Sequence, residues 1–252
     1  MIDIHTHILP GLDDGSDSME SSVKMAELAA EAGVTRLVAT PHANQRGRFE
    51  NYITDALFEN FRALRREIAA ADIGIDIVPG MEVMASYDVP KMLLDGKLLP
   101  INGSRYMLLE FPFSEDPGRM DELLHRLLDI RCTPVLAHPE RYNALQISPE
   151  YLYDWACDGV VMQVNKGSVL GRFGTKPMEL SMAMISHGIA GCVASDAHGT
   201  ERRNTDMTDV QEYLTMEFSE DCARRLLSEN PERILNNQKI IIDEIFPIGW
   251  EN

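Results

Sequence analysis

The first fourteen residues, MIDIHTHILPGLDD (1–14), decide how the rest of the chain is read. Ile2 to His5 reads as a short buried strand whose C-terminal end carries His5, Thr6 and His7. Side chains alternate along an extended chain, so His5 and His7 face the same way. Two imidazoles on one side of a strand end make half of a first-row metal site. Asp13 and Asp14 follow in a Pro/Gly turn and can reach back over that end. A lone His-x-His is as readily a surface pair. This one gains weight because later strand ends repeat the theme.

Downstream, short apolar strands alternate with amphipathic helices. Ser16 or Asp17 can cap a helix over about 19–32, with Val23, Ala26 and Ala30 as its stripe and Gly33 as its stop. Leu57, Phe61, Leu64 and Ile68 predict a helix over about 53–71, and Met120, Leu123, Leu124, Leu127 and Leu128 predict another. Strands are predicted near 36–40, 75–78, 106–109, 134–137, 160–164 and 191–194, making seven with the first. From about 205 the chain is predicted to be mainly helical, with a final apolar stretch over 240–250 that ends at Trp250. This alternation implies an α/β fold of parallel strands and right-handed crossovers, closed as a seven-stranded barrel or open as a sheet. In both, chemistry gathers at the C-terminal ends of strands.

Those ends carry His5 and His7, His42, Glu82, Glu110, His138, and Asp196 with His198, which include five of the seven histidines in the chain. Nitrogen and carboxylate donors without thiolate suit zinc, manganese or iron. Eight or nine donors exceed what one ion of four to six coordination takes, so two or three ions with bridging carboxylates follow. Ions about 3.5–4 Å apart acidify a bridging water and clamp an in-line displacement at phosphorus. His125, on the outer side of the helix that carries Leu123 to Leu128, and His187, just before Gly188, read as ordinary surface or helix-end histidines. Cations accompany the donors. Arg141 directly follows His138-Pro-Glu, Arg202 and Arg203 lie just beyond His198, and Arg46 and Arg48 sit on a polar loop after His42. A guanidinium binds phosphate oxygens bidentately, which fits a phosphoryl substrate; Arg141 and Arg203 are the stronger candidates.

Composition bounds the alternatives. With 252 residues, 44% hydrophobic and 25% charged, the chain is long enough for a sizeable core and is read as one domain, 1–252. A net charge of −17 argues against nucleic acid as the main partner. Neither a membrane span nor a signal peptide is expected, so the chain is placed in the cytoplasm. Cys132, Cys157, Cys192 and Cys222 form no C-x-x-C pair and read as reduced thiols. None precedes an arginine by six positions, as a cysteine phosphatase would require. There is no G-x-S-x-G elbow and no phosphate-binding G-x-x-x-x-G-K loop. The Asp13–Asp17 cluster lacks the twelfth-position Glu of a calcium loop.

Taken together, His5-x-His7, Thr-Pro-His42, Pro-Gly-Met-Glu82, Leu-Leu-Glu110-Phe-Pro, Ala-His138-Pro-Glu-Arg141 and Ser-Asp196-Ala-His198 resemble the polymerase and histidinol phosphatase (PHP) superfamily. The finer resemblance is to bacterial manganese-dependent protein-tyrosine phosphatases of capsule and exopolysaccharide loci, over residues 1 to about 203. It implies a distorted seven-stranded (β/α)7 barrel with three divalent ions, most readily Mn2+, with Fe or Zn as alternatives. It places His5, His7, Glu82 and Asp196 around one ion, Glu82, Glu110 and His138 around a second, and Asp14, His42 and His198 around the third. The choice of Asp14 over Asp13 rests on the resemblance alone. Arg141 and Arg203 match arginines that bind the phosphate, and Arg46 and Arg48 are carried as further substrate contacts. Many relatives have a second His after the His42 equivalent; here it is Ala43. The implied substrate is phosphotyrosine on protein, such as the tail of a bacterial tyrosine kinase. The rivals are a small-molecule phosphatase such as histidinol-phosphate phosphatase, an amidohydrolase-like carbon–nitrogen hydrolase, and a non-catalytic metal-binding domain. The second lacks a supported carbamylated lysine, Lys166 being the one candidate.

Overall fold

The computed structural model of the chain describes residues 1–249; Trp250 lies outside them. Nine β-segments occur: β1 (Ile2–Thr6), β2 (Arg36–Ala39), β3 (His42–Ala43), β4 (Asp76–Pro79), β5 (Glu82–Met84), β6 (Tyr106–Glu110), β7 (Thr133–Ala137), β8 (Val161–Asn165) and β9 (Ala190–Ala194). They amount to the seven expected strands. The second is broken between β2 and β3 at Thr40-Pro41, and the third between β4 and β5 at Gly80-Met81. Proline cannot donate to a ladder, and glycine lets two strands approach closely. A Cβ on Gly80 would lie 2.9 Å from Val38 Cγ1.

Every ladder is parallel. The order is β1-β2-β4 in one sheet and β3-β5-β6-β7-β8-β9 in the other. Just past β9 the chain returns to β1: Asp196 N donates to His5 O and His7 N to Ala197 O, both at 2.9 Å. That link is a single parallel bridge, Thr6 to Ala197.

The helices are α1 (Met19–Glu31), α2 (Asp55–Ala70), α3 (Val89–Leu94), α4 (Pro117–Asp129), α5 (Glu150–Asp158), α6 (Lys166–Val169), α7 (Thr175–Ser186), α8 (Thr208–Glu217), α9 (Glu220–Arg224) and α10 (Asn230–Leu235). Both sheet faces are buried, as parallel strands require. Leu37, Ile77, Leu109, Leu136 and Met162 pack outward under helix residues such as Met25, Leu64, Leu124 and Trp155. Ile2, Ile4, Val38, Val78, Leu108, Val135 and Cys192 face inward, where Ile234 and Leu235 of α10 close the floor. Burying side chains of this size stabilises by roughly 1.5–3 kcal/mol each.

Two expectations are corrected. The cap of α1 is Ser18, whose hydroxyl accepts from Ser21 N at 3.2 Å, while Ser16 donates to Ser18 O and steadies the turn. The C-terminal part is helical only to Leu235; 238–249 has no regular structure. Its backbone is held by side chains and loops: Asn230 accepts from Ile241 N at 2.6 Å, Tyr106 donates to Gln238 O at 2.6 Å, and His187 O accepts from Phe246 N. A β-branched run ending at Pro247 is poorly suited to a helix. No helix among the described residues is long and apolar enough to cross a membrane.

Candidate metal centre

The inward face of each strand runs on into the site. In steps of two, Val38 leads to Thr40 and His42, Val78 to Gly80 and Glu82, Leu108 to Glu110, Val161 to Gln163 and Asn165, and Cys192 to Ala194 and Asp196. The floor of the barrel and the polar mouth are thus one periodic pattern in which apolar residues give way to donors.

Local irregularities aim the remaining side chains. Between Asp3 and Thr6 the register against β2 shifts, a β-bulge that puts His5 on the inward side with Ile4. His138 (φ 39°) and Asp196 (φ 51°) lie in the left-handed region. For residues other than glycine that costs of order 1 kcal/mol or more, and such strain concentrates at functional sites. Here it turns both side chains into the cleft just as their strands end.

The result is a dense cluster. His5 Nε2 lies 3.3 Å from His7 Nε2, 3.2 Å from Glu82 Oε1 and 3.5 Å from Asp196 Oδ1. His138 Nε2 is 3.1 Å from the same Glu82 oxygen. His42 turns Nδ1 to Glu82 and Glu110, at 2.9 Å each, and Nε2 to Asp14 at 3.3 Å. His198 Nε2 is 3.6 Å from Asp14 Oδ1. Three groups have donors close enough to share an ion: His7, Asp14, His42 and His198; His5, His7 and Asp196; and His42, Glu82 and Glu110. All nine sequence-derived donors therefore meet in one cleft. The grouping differs in detail from the one the resemblance implies: His7 also faces the Asp14 group, and His42 stands between two groups.

The electrostatics test whether cations fit. Burial alone disfavours imidazolium, yet Glu82 and Asp196 hold His5 above its ordinary value. His7, with Asp13, Asp196 and Glu82, is raised well above it. His42 is raised too, by Glu82, Asp14 and Glu110 against its own burial. Burial would raise Glu82 and Asp196, but the surrounding imidazoles hold both well below the usual carboxylate range. His198 goes the other way, to about 3, through burial and the neighbouring His7. The cluster thus favours positive charge, which divalent ions supply in place of protons. Moreover, His42 Nδ1 and Glu82 Oε2 are buried without a well-formed hydrogen bond, a costly state that a metal partner relieves.

A further ring of residues holds the donors. Asp13 Oδ2 accepts from His42 N at 2.9 Å and lies 2.7 Å from His7 Nδ1. Gln163 Oε1 is 2.8 Å from His5 Nδ1, Asn165 donates to Asp196 at 2.7 Å and Gln45 donates to Glu110 at 2.7 Å. Carboxylate, amide and carbonyl partners of this kind fix the tautomer and tilt of a metal-binding imidazole. Sequence reasoning missed Gln163 and Asn165, although polar residues at alternate positions of an otherwise apolar strand were the available signal. Lys166 is elsewhere: its buried ammonium donates to Asn204 O, Asn204 Oδ1 and Asp206 O, at 2.7, 3.1 and 2.6 Å.

The arginines divide. Arg141 is sandwiched between the rings of Phe113 (4.6 Å) and Phe173 (4.4 Å) and comes within 3.5 Å of Asp196. Arg203 pairs with Asp196 at 2.6 Å. Both line the cleft, of about 250 Å³, as does Arg48, which reaches Asp14 at 3.0 Å. Arg46 does not line it; exposed, it pairs with Asp88 at 2.8 Å. His125 and His187 stay away, bonded to Asp121 and Asp158 and to Ala183 O respectively.

Comparison with known proteins follows the same lines. The family profile "Capsular polysaccharide synthesis, CpsB/CapC" matches residues 1–236. Tyrosine-protein phosphatase YwqE of Bacillus subtilis is 35% identical over 240 residues, 95% of this chain and 93% of YwqE. The putative tyrosine-protein phosphatase CapC of Staphylococcus aureus is 29% identical over 242 residues, 96% and 91% of the two chains. A chain from the crystal structures of B. subtilis YwqE and Streptococcus pneumoniae CpsB, described as metal-dependent tyrosine phosphatases, superposes with a TM-score of 0.93 at 34% identity, covering 99% of this chain and 100% of that one.

Proposed function

Because the chain belongs to the CpsB/CapC family of capsular polysaccharide synthesis, we propose that it is a metal-dependent phosphatase that hydrolyses phosphotyrosine on protein. The observation that carries the reading is the meeting of nine imidazole and carboxylate donors in one cleft whose rim holds Arg141 and Arg203. The centre holds three divalent ions, Mn2+ in the first place. His5, His7, Glu82 and Asp196 take one, Glu82, Glu110 and His138 a second, and Asp14, His42 and His198 the third. Distances of 3.1–3.6 Å link these donors through Glu82 and Asp14, and His42, whose Nδ1 lies 2.9 Å from both Glu82 and Glu110, stands between the second and third sets.

Bound divalent ions bring to such a site an acidified water and a positive field for the phosphoryl oxygens. The chain's own residues do the rest. Glu82, wholly buried among four imidazoles, keeps its charge and bridges neighbouring donors. Arg141 cannot swing freely between two aromatic rings, so its N–H groups are aimed before substrate arrives. Arg203 faces it across Asp196, and together they receive the equatorial oxygens of a phosphate. A phenolate, the base of a group with pKa near 10, is a fairly good leaving group, which a bound metal or a nearby acid would assist.

The proposed substrate is the tail of a bacterial tyrosine kinase that governs polysaccharide export, in the cytoplasm. The family description and four unpaired cysteines support that setting. His5→Ala, His138→Ala and Asp196→Ala should each abolish turnover of a phosphotyrosyl peptide in Mn2+ while leaving the folded spectrum intact. Full activity of these purified variants, or a higher kcat/KM on histidinol phosphate than on the peptide, overturns the reading.

A further inference from the structure

Beside the metal cleft lies a second and larger one, of about 680 Å³, and Arg203 forms a wall of both. Phe173, which stacks on Arg141, stands between them. The second cleft is lined by Lys166, Arg172, Arg202 and Arg203 against a single carboxylate, Glu201. In a chain of net charge −17 this is a local reversal of sign. The cations differ in availability. Lys166 is buried and spent on Asn204 and Asp206, and Arg203 faces Asp196. Arg172 holds Asp209 at 2.9 Å, with both side chains exposed. Arg202 is exposed and, among the described residues, has no ion pair.

A phosphate seated at Arg203 brings the side chains next to it in sequence within reach of that shared wall, since successive residues of an extended peptide are about 3.3 Å apart. An acidic chain repels an acidic peptide everywhere except where cations collect. We propose that the second cleft is a subsite for an anionic side chain one or two residues from the phosphotyrosine, Asp or Glu in the first place. Arg202 is its main contact and Arg172 the second, once Arg172 exchanges Asp209 for the incoming anion. The proposal deepens the protein-phosphatase reading and rests on it. It makes the second cleft a specificity device, with no part in the chemistry at phosphorus.

Three peptides identical except for Glu, Gln or a second phosphotyrosine beside the scissile residue separate the sources of negative charge. The Mn2+-loaded enzyme should show a kcat/KM about tenfold higher for Glu than for Gln, the factor of one charge-assisted hydrogen bond, carried mainly by KM and weakened by salt. Arg202→Gln should remove the preference and leave p-nitrophenyl phosphate turnover unchanged. Arg202→Glu should invert it toward a Lys-flanked peptide. Equal kcat/KM for the Glu and Gln peptides, or a preference that survives Arg202→Gln, overturns the subsite while leaving the phosphatase reading intact. A preference for the second phosphate alone overturns the carboxylate assignment. Hydrolysis of p-nitrophenyl phosphate but of no phosphotyrosyl peptide removes the protein-phosphatase reading, and the subsite with it.

Discussion

Asp13 and Asp14 adjoin in sequence and play separate parts. Asp13 is tucked under the cluster, where it fixes His7 and the backbone of His42, whereas Asp14 faces His42 and His198 from the rim. Spacing in the sequence offers no means to separate them, because both follow the same turn and either reaches back. Lys166 is a second case. Burial pushes its ammonium down to about 8 from an ordinary 10.5, and its three bonds tie down 204–206, next to Arg203. The sign is fixed by linkage. Between about pH 8 and 10.5 the unfolded chain carries a proton on this lysine and the folded chain does not, so stability gains with rising pH. The gain is up to about 3 kcal/mol across the window. Urea unfolding at pH 7.5 and 10 should show wild type gaining on Lys166→Met by an amount of that order. A constant difference between the two proteins at both pH values would contradict the burial of this charge.

At the scale of elements, what positions the site is where each strand stops being regular. The sequence pattern made seven strands and most helices legible, because apolar runs and i, i+3, i+4 stripes follow directly from burial on both faces of a parallel sheet. It also made the donors legible, as ligand-type residues at the ends of those runs. The bulge at His5, the left-handed turns at His138 and Asp196 and the break at Pro41 were not legible in the same way, since they come from the packing of each strand against its neighbours. The aromatic clamp on Arg141 depends on such a detail. Gly167, in the one-turn α6, has no Cβ, and one built there would lie 2.5 Å from Cε2 of Phe173. Gly167→Ala should therefore push Phe173 off the guanidinium. The inhibition constant of inorganic phosphate is expected to rise about two- to fivefold, the weight of one cation–π contact, with metal content unchanged. An unaltered phosphate affinity would mean that the ring does not hold Arg141 in place.

Over the whole molecule, one architecture serves stability and chemistry from opposite ends. The floor of the barrel is sealed by Ile234 and Leu235 of the last helix, and the mouth gathers the carboxylates and imidazoles that a cation-free chain satisfies poorly. The segment after that helix, expected to be mainly helical, instead takes its hydrogen bonds from Asn230, Tyr106 and His187. The central claim is that the mouth is a multinuclear metal centre. Crystals grown with Mn2+ and measured on either side of the manganese absorption edge test it most directly. Three anomalous peaks are predicted, each within about 2.4 Å of donor atoms drawn from His5, His7, Asp14, His42, Glu82, Glu110, His138, Asp196 and His198. A map with no anomalous density among those side chains, or with its peaks elsewhere on the acidic surface, would contradict the account.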